Sequence, residues 1–227
     1  MSDTDTFLEM RQKFGLCMIT GFLKIEGRPF GVIANNCMHM AGAIEADGAD
    51  KVARLMQICN AHGLPILSLC DTPGFMVGPE IEKRAQVRHV CRMFVIGSHL
   101  SVPFFTIVLR RGYGLGAMAM AKGGFHESFF TAAWPTGEFG AMGLEGAVKA
   151  GFKKELAAIN DPQEREALYE KLVAQLYERG KAINMASYAE IDAVIDPADT
   201  RKWIIQGLKS TPARQNQESS HSFVDPW

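Results

Sequence analysis

Apolar residues in this chain come in short blocks, and the blocks alternate between two periods. Phe22–Ile25 and Phe30–Ala34 read as strands joined through Glu26-Gly27-Arg28. A loop with Gly42-Ala43 follows. From Asp47 to His62 the period changes: Val52, Leu55, Met56 and Cys59 recur at helical spacing, and Gly63 stops the helix. Pro65 to Cys70 is a continuous apolar strand, broken by Asp71-Thr72-Pro73-Gly74-Phe75. A long helix is predicted from roughly Glu80 to His99. A buried strand follows from Pro103 to Leu109, then a glycine-rich junction and a short helix. Phe129–Ala133 reads as a further strand, Trp134-Pro135-Thr136-Gly137 as a turn, and a helical stretch begins near Gly140. Residues 163–180 and Thr200–Leu208 read as amphipathic helices, while residues 1–10 read as a lead-in.

Strand–strand–helix followed by repeated strand–helix predicts an α/β fold, a mostly parallel sheet covered by helices. No repeat of solenoid length is present, and no linker precedes residue 209, so residues 1–209 are expected to form one domain with 210–227 as a polar tail. A hydrophobic content of 47% supplies a core, and a net charge of −1 gives no basic footprint for nucleic acid. No apolar run is long enough to span a membrane, and Met-Ser-Asp-Thr-Asp-Thr lacks the pattern of a secretion signal, so no membrane partner and a cytoplasmic location are expected. The five cysteines, Cys17, Cys37, Cys59, Cys70 and Cys91, are scattered and read as reduced, mostly core residues. Cys37-x-His39 with Cys59-x-x-His62 is a poor zinc set, because Cys59 falls on an apolar helix face; no metal is expected.

Three loops share one character: Met40-Ala41-Gly42-Ala43-Ile44, Asp71-Thr72-Pro73-Gly74-Phe75, and Gly112 to Ala117. Each follows a predicted strand, and ligands of α/β sheets bind beyond the carboxyl ends of the strands. The third loop is the most informative. Glycine lets a ligand approach the backbone, and the first amides of a helix lack intrahelical partners. The junction therefore suits an anionic oxygen, a carbonyl that becomes one, or a phosphate. Plain tight turns are the alternative for any one loop.

Other chemistries fit less well. Gly112-x-Gly114-x-x-Ala117 matches the dinucleotide fingerprint, which requires an acidic residue ending the next strand about 20 residues on. Here that strand ends Ala133-Trp134-Pro135-Thr136. No G-x-S-x-G elbow occurs, and none of His39, His62, His89, His99, His126 and His221 has a partner at suitable spacing. Glu80, Glu82 and Lys83 read as a solvated helix start. Arg110 and Arg111 either bind phosphate or pair internally. What remains is a site rich in amides and poor in acids, bases and nucleophiles, suited to stabilising a developing oxyanion while the ligand accepts the proton.

Four segments occur in a specific order: Gly31-Val32-Ile33-Ala34-Asn35-Asn36, Asp71 to Gly78, Arg110 to Ala117, and Ala133 to Glu138 with Met142-Gly143. With them, from about Phe7 to Leu208, the chain resembles the C-terminal half of the biotin-dependent acyl-CoA carboxyltransferases, a branch of the crotonase-like (ClpP/crotonase) fold built as a spiral of ββα units. The resemblance implies a carboxyl group moved from carboxybiotin, carried on a separate carrier domain, to the α-carbon of an acyl-CoA. It implies that two backbone amides, here Gly116 and Ala117, hold the negative oxygen of biotin, and that the biotin nitrogen takes the α-proton. Gly42, Ala43, Gly74, Phe75, Tyr113, Gly114 and Gly137 are the implied substrate-binding residues. Ala119 matches a position lining the acyl pocket, which implies tolerance of acyl groups larger than acetyl.

Two departures stand out. Leu115 is an extra residue relative to the shorter Tyr-Gly-Gly-Ala form. The family's N-terminal half, which supplies most of the coenzyme A site, is missing. The expected partners are therefore a biotin carrier, an N-terminal half in cis or trans, and further copies of the chain as a dimer, trimer or hexamer. The closing Phe-Val-Asp-Pro-Trp reads as a natural chain end, which favours a C-terminal piece. Alternatives within the fold are a biotin-dependent acyl-CoA decarboxylase and a hydratase or isomerase using Glu138 and Glu145; outside it, a non-catalytic assembly subunit.

Overall fold

The computed structural model describes residues 1–211. Three antiparallel strands open it: β1 (Leu8–Met10), β2 (Met18–Ile25) and β3 (Arg28–Asn35). β1 lies inside the expected lead-in, and the next two strands run longer than their apolar blocks because pairing extends to Met18 opposite Asn35. Helix α1 (Ala46–His62) ends at Gly63, whose left-handed φ of 68° only glycine adopts at little cost. Then come β4 (Ile66–Thr72), α2 (Pro79–Glu82), α3 (Gln86–His99), β5 (Phe104–Tyr113) and α4 (Gly114–Met120). The remainder is β6 (Phe130–Ala133), β7 (Glu138–Gly140), α5 (Leu144–Gly151), α6 (Lys153–Ala157), α7 (Pro162–Arg179), α8 (Ala182–Ser187), β8 (Ala193–Val194) and α9 (Thr200–Ser210). α9 runs one residue past the expected boundary at 209, and the expected tail from residue 212 onward lies outside the described residues.

The sheet runs β1-β2-β3-β4-β5-β6-β8, with β7 also paired to β5. From β3 onward every pairing is parallel. This is the expected α/β class, a mostly parallel sheet covered by helices. Burial on both faces explains the continuous apolar runs of β4 and β5. Ile33, Ile66, Phe104 and Val108 face a core with Val52, Met56, Val90, Met93 and Met120 of α1, α3 and α4. Val32, Leu67, Phe105 and Ile107 face the other layer, closed by Ile204 and Trp203 of α9. No helix among the described residues is long and apolar enough to cross a membrane.

Three expectations need correction. The long helix from Glu80 is broken, because Ala85 is left-handed (φ 54°) and the buried Gln86 restarts it with Nε2 donating to the Ile44 carbonyl at 2.9 Å. The glycine-rich junction is shorter than its sequence suggests, because β5 continues through Arg110, Arg111 and Gly112 to Tyr113. The region near Gly140 is a strand before it is a helix. β6 pairs with Phe105–Val108, the turn closes with the Gly137 N–H on the Trp134 carbonyl at 2.8 Å, and β7 takes up the free edge of β5 at Arg111–Tyr113.

Candidate active site

The three loops singled out in the sequence meet at the carboxyl ends of β3, β4 and β5. After β3 the chain makes a turn in which Met40, Ala41 and Gly42 all have positive φ (47°, 53° and 85°). Ile44 then pairs with Phe75 as an isolated parallel bridge, so the first two loops run side by side. The Ile44 N–H donates to the Gly74 carbonyl at 3.0 Å, and the Met76 N–H to the Ile44 carbonyl at 2.9 Å. The third loop lands on the second. A Cβ added to Gly116 would stand 2.8 Å from the Gly74 Cα and 3.0 Å from the Phe75 nitrogen.

β4 and β5 stay in register from Ile66–Phe104 to Cys70–Val108, then jump to Thr72–Gly112. The extra residues on β5 form a bulge, which re-aims side chains. Adjacent strand residues ordinarily point to opposite faces, yet both Arg110 and Arg111 reach the carboxylate of Asp71. The two arginines therefore pair internally. Burial pushes the Asp71 carboxyl up, but hydrogen bonds from Arg110, Cys37 and Arg111 outweigh it and hold the group below the usual aspartate value. The sequence marks Asp71 only as a strand breaker. The signal that points further is an acid ending one apolar strand beside a basic pair ending the next.

Tyr113 is buried, and its hydroxyl donates to Glu138 Oε2 at 2.9 Å. Burial first, and the Glu138 carboxylate second, keep that hydroxyl protonated far above the usual tyrosine range. Gly114, at φ 59°, must be glycine: a Cβ there would meet the Ala141 carbonyl at 2.8 Å. α4 begins at Gly114, so helix geometry leaves the amides of Gly114, Leu115 and Gly116 without a carbonyl partner in the helix. The same geometry directs the Ala117 N–H back to the Tyr113 carbonyl. Leu115 is exposed; Gly116 and Ala117 are buried.

The other candidates that the sequence suggests divide. Gly42 and Ala43 donate within their own turn, to His39 at 2.9 Å and Met40 at 3.0 Å, and the Gly74 N–H goes to Thr72 Oγ1 at 3.1 Å. These residues shape the site without offering those amides to a ligand. Phe75 borders it, its ring edge-on to Phe94 with centroids 6.3 Å apart. Gly137 sits in the turn before β7, packed between Ala133 and Ala182. Ala119 is fully buried in the core shared with α1 and α3, so its methyl lines no open pocket among the described residues. Glu138 and Glu145 do not face each other as an acid–base pair; each accepts a tyrosine hydroxyl, from Tyr113 and Tyr177 respectively. Three residues of the poor zinc set are engaged separately: Cys37 bonds Asp71, His39 pairs with Glu45, and Cys59 is buried beneath Gly31.

The profile of the carboxyl transferase domain matches residues 1–222. The chain belongs to the carboxyl transferase domain family. Among relatives of this family, the methylmalonyl-CoA carboxyltransferase 12S subunit of Propionibacterium freudenreichii subsp. shermanii is 33% identical over 91% of the chain and 39% of its own length. A single-chain, multi-domain long-chain acyl-CoA carboxylase is 50% identical, with a TM-score of 0.82 over 91% of the chain and 20% of that protein. The transcarboxylase 12S crystal structure, a hexamer with methylmalonyl-coenzyme A bound, is 30% identical, with a TM-score of 0.86 over 98% of the chain and 42% of that protein. The carboxyl transferase fold of these neighbours, crotonase-like, is the fold of this chain. The chain spans about two fifths of the length of the 12S relative.

Proposed function

We propose that the chain is the carboxybiotin-side domain, residues 1–209, of an acyl-CoA carboxylase carboxyltransferase, and that its acyl substrate is a long one. The observation that carries the reading is the seating of Gly116 on the Gly74–Phe75 backbone, which places the start of α4 between the carboxyl ends of the parallel strands. The long acyl group is supported by the 50% identity to the long-chain acyl-CoA carboxylase, against 30% to the transcarboxylase 12S structure.

When bound, carboxybiotin supplies an activated carboxyl group and then the acceptor for the α-proton of the acyl-CoA. The chain's own part is to hold negative charge. Gly116 keeps the role expected for it. Leu115, the extra residue, supplies the second amide in place of Ala117, whose N–H closes the first turn of α4. No side-chain base is demanded of Asp71, Glu138 or Glu145, each of which already accepts hydrogen bonds from the protein. Phe75 and Phe94 pack edge-on against each other and against the core, which steadies the turn on which Gly116 rests.

This is half a site. Met38, Val77, Leu115, Met118 and Met142 are exposed, and all lie on loops or on α4 beyond the carboxyl ends of the strands. Exposed apolar side chains gathered there fit a covering partner. The partner proposed is the N-terminal carboxyltransferase half, in cis or in trans, carrying the coenzyme A site. The hexamer of the 12S neighbour supports assembly into oligomers. Five free cysteines accord with a reducing, cytoplasmic setting.

Titrating free biotin into the isotope-labelled chain, read by amide shifts, tests the assignment. The largest shifts are expected at residues 114–117 and 74–75. Shifts confined to other parts of the sheet, or none at saturation, contradict it.

A further inference from the structure

We propose that Asp71 is the positioning residue of this site, a clasp that holds the Gly74–Phe75 turn at the height where Gly116 rests on it. The inference rests on the carboxyltransferase reading for what the held geometry serves.

Asp71 is only 8% exposed, and donors surround its carboxylate. Oδ1 accepts from Arg111 Nε at 2.9 Å and from the Arg111 backbone N–H at 3.2 Å. Oδ2 accepts from Arg110 Nη2 at 3.0 Å and from the Cys37 thiol at 3.1 Å. The same residue is tied through its backbone: the Asp71 N–H donates to Asn35 Oδ1 at 3.0 Å, and Asn35 Nδ2 donates to the Gly42 carbonyl at 3.2 Å. Arg111 Nη2 closes the circuit on the Ala41 carbonyl at 2.7 Å. One carboxylate thus joins the ends of β3, β4 and β5.

Two features give the clasp work to do. The turn at Met40 and Ala41 is left-handed at consecutive non-glycine residues, a conformation that persists only when its surroundings over-determine it. The bonds from Arg111 and Asn35 to the carbonyls of Ala41 and Gly42 do so. Second, only Thr72 and Pro73 separate Asp71 from Gly74, and Thr72 Oγ1 locks that short turn by accepting the Gly74 N–H at 3.1 Å. A shift of Asp71 is therefore passed to the surface that Gly116 touches. An ionised carboxylate is required, because it only accepts; an amide would turn an N–H₂ toward a guanidinium or a thiol.

The test compares Asp71→Asn and Arg111→Lys with wild type in two measurements. The first is amide hydrogen exchange on the chain itself. The second is kcat and KM for carboxyl transfer, with the chain assembled with its acyl-CoA half and carboxybiotin carrier. In both variants, exchange is expected to quicken at residues 40–44 and 112–117. In both, kcat should fall roughly 10- to 100-fold, as for a small misplacement of reacting groups, with KM for acyl-CoA little changed. Exchange unchanged at both segments in a folded variant overturns the clasp. Quickened exchange with wild-type kcat overturns its role in positioning. Should Asp71→Asn fail to fold, Arg111→Lys, which keeps the charge and loses the fork, decides alone. If wild type transfers no carboxyl group, the functional reading fails, and the exchange data still decide the clasp.

Discussion

Gly116 lies so close to Gly74 that a Cβ on Gly116 would stand 2.7 Å from the Gly74 carbonyl carbon. The atoms opposite are backbone, so they cannot swing aside as the end of a flexible side chain would. Gly116→Ala is expected to fold with a loss of about 1–3 kcal/mol, the usual range for overpacking. It should push α4 off the Gly74–Phe75 turn and lower transfer by about 10²-fold. Thermal unfolding beside single-turnover transfer checks this; unaltered turnover would show that the contact does not set the site.

Ala119 is 0% exposed, and its methyl faces the core of α1 and α3. Ala119→Asp therefore tests packing before it tests acyl preference. An unpaired carboxylate at this position is expected to cost about 3–5 kcal/mol. The urea midpoint measures it. A variant as stable as wild type with a changed ranking of acyl-CoA substrates would restore Ala119 to the pocket.

The parallel sheet was legible because β4 and β5 are buried on both faces and read as unbroken apolar runs. The site's neighbourhood was legible because Gly74, Gly114 and Gly116 stand where side chains would collide or strain. Other parts were hidden for physical reasons. β7 has three residues, only Phe139 of them buried, too few to show a period. The break at Ala85 depends on Gln86 reaching Ile44, which lies 42 residues away in the chain. The Asp71 clasp depends on a bulge that lets neighbouring arginines share one acid, and on partners 34 to 40 residues away. Leu115 was visible between the glycines, but which amides are free follows from where α4 starts.

Lys51 is 1% exposed, with its ammonium donating to the Met18 carbonyl at 2.7 Å. Burial lowers its pKa from the ordinary 10.5. Between the lowered folded value and 10.5, the unfolded chain binds the extra proton, so stability rises with pH across that window. Lys51→Met is expected to remove this rise. Denaturant unfolding at a series of alkaline pH values checks it, and identical pH slopes for wild type and variant would contradict it.

Tyr113 and Glu138 offer a spectroscopic check on the turn before α4. Replacing Glu138 by Gln removes the charge that the Tyr113 hydroxyl faces, while burial of the ring remains. Ionisation of Tyr113 should then move down but stay above the ordinary tyrosine value of 10.0. Alkaline difference absorbance, with Tyr113→Phe identifying the signal, measures it. No movement would mean that burial alone protects the hydroxyl.

The most direct measurement follows a labelled carboxyl group from the carboxybiotin carrier to a long-chain acyl-CoA, in the chain assembled with its acyl-CoA half, for wild type and Gly116→Pro. Proline removes the Gly116 amide in addition to adding the Cβ that alanine adds, so transfer is expected to fall well below that of Gly116→Ala, by about a further 10²-fold, while the variant stays folded. Transfer at the wild-type rate in a folded Gly116→Pro protein would contradict the central claim that this amide holds the developing charge.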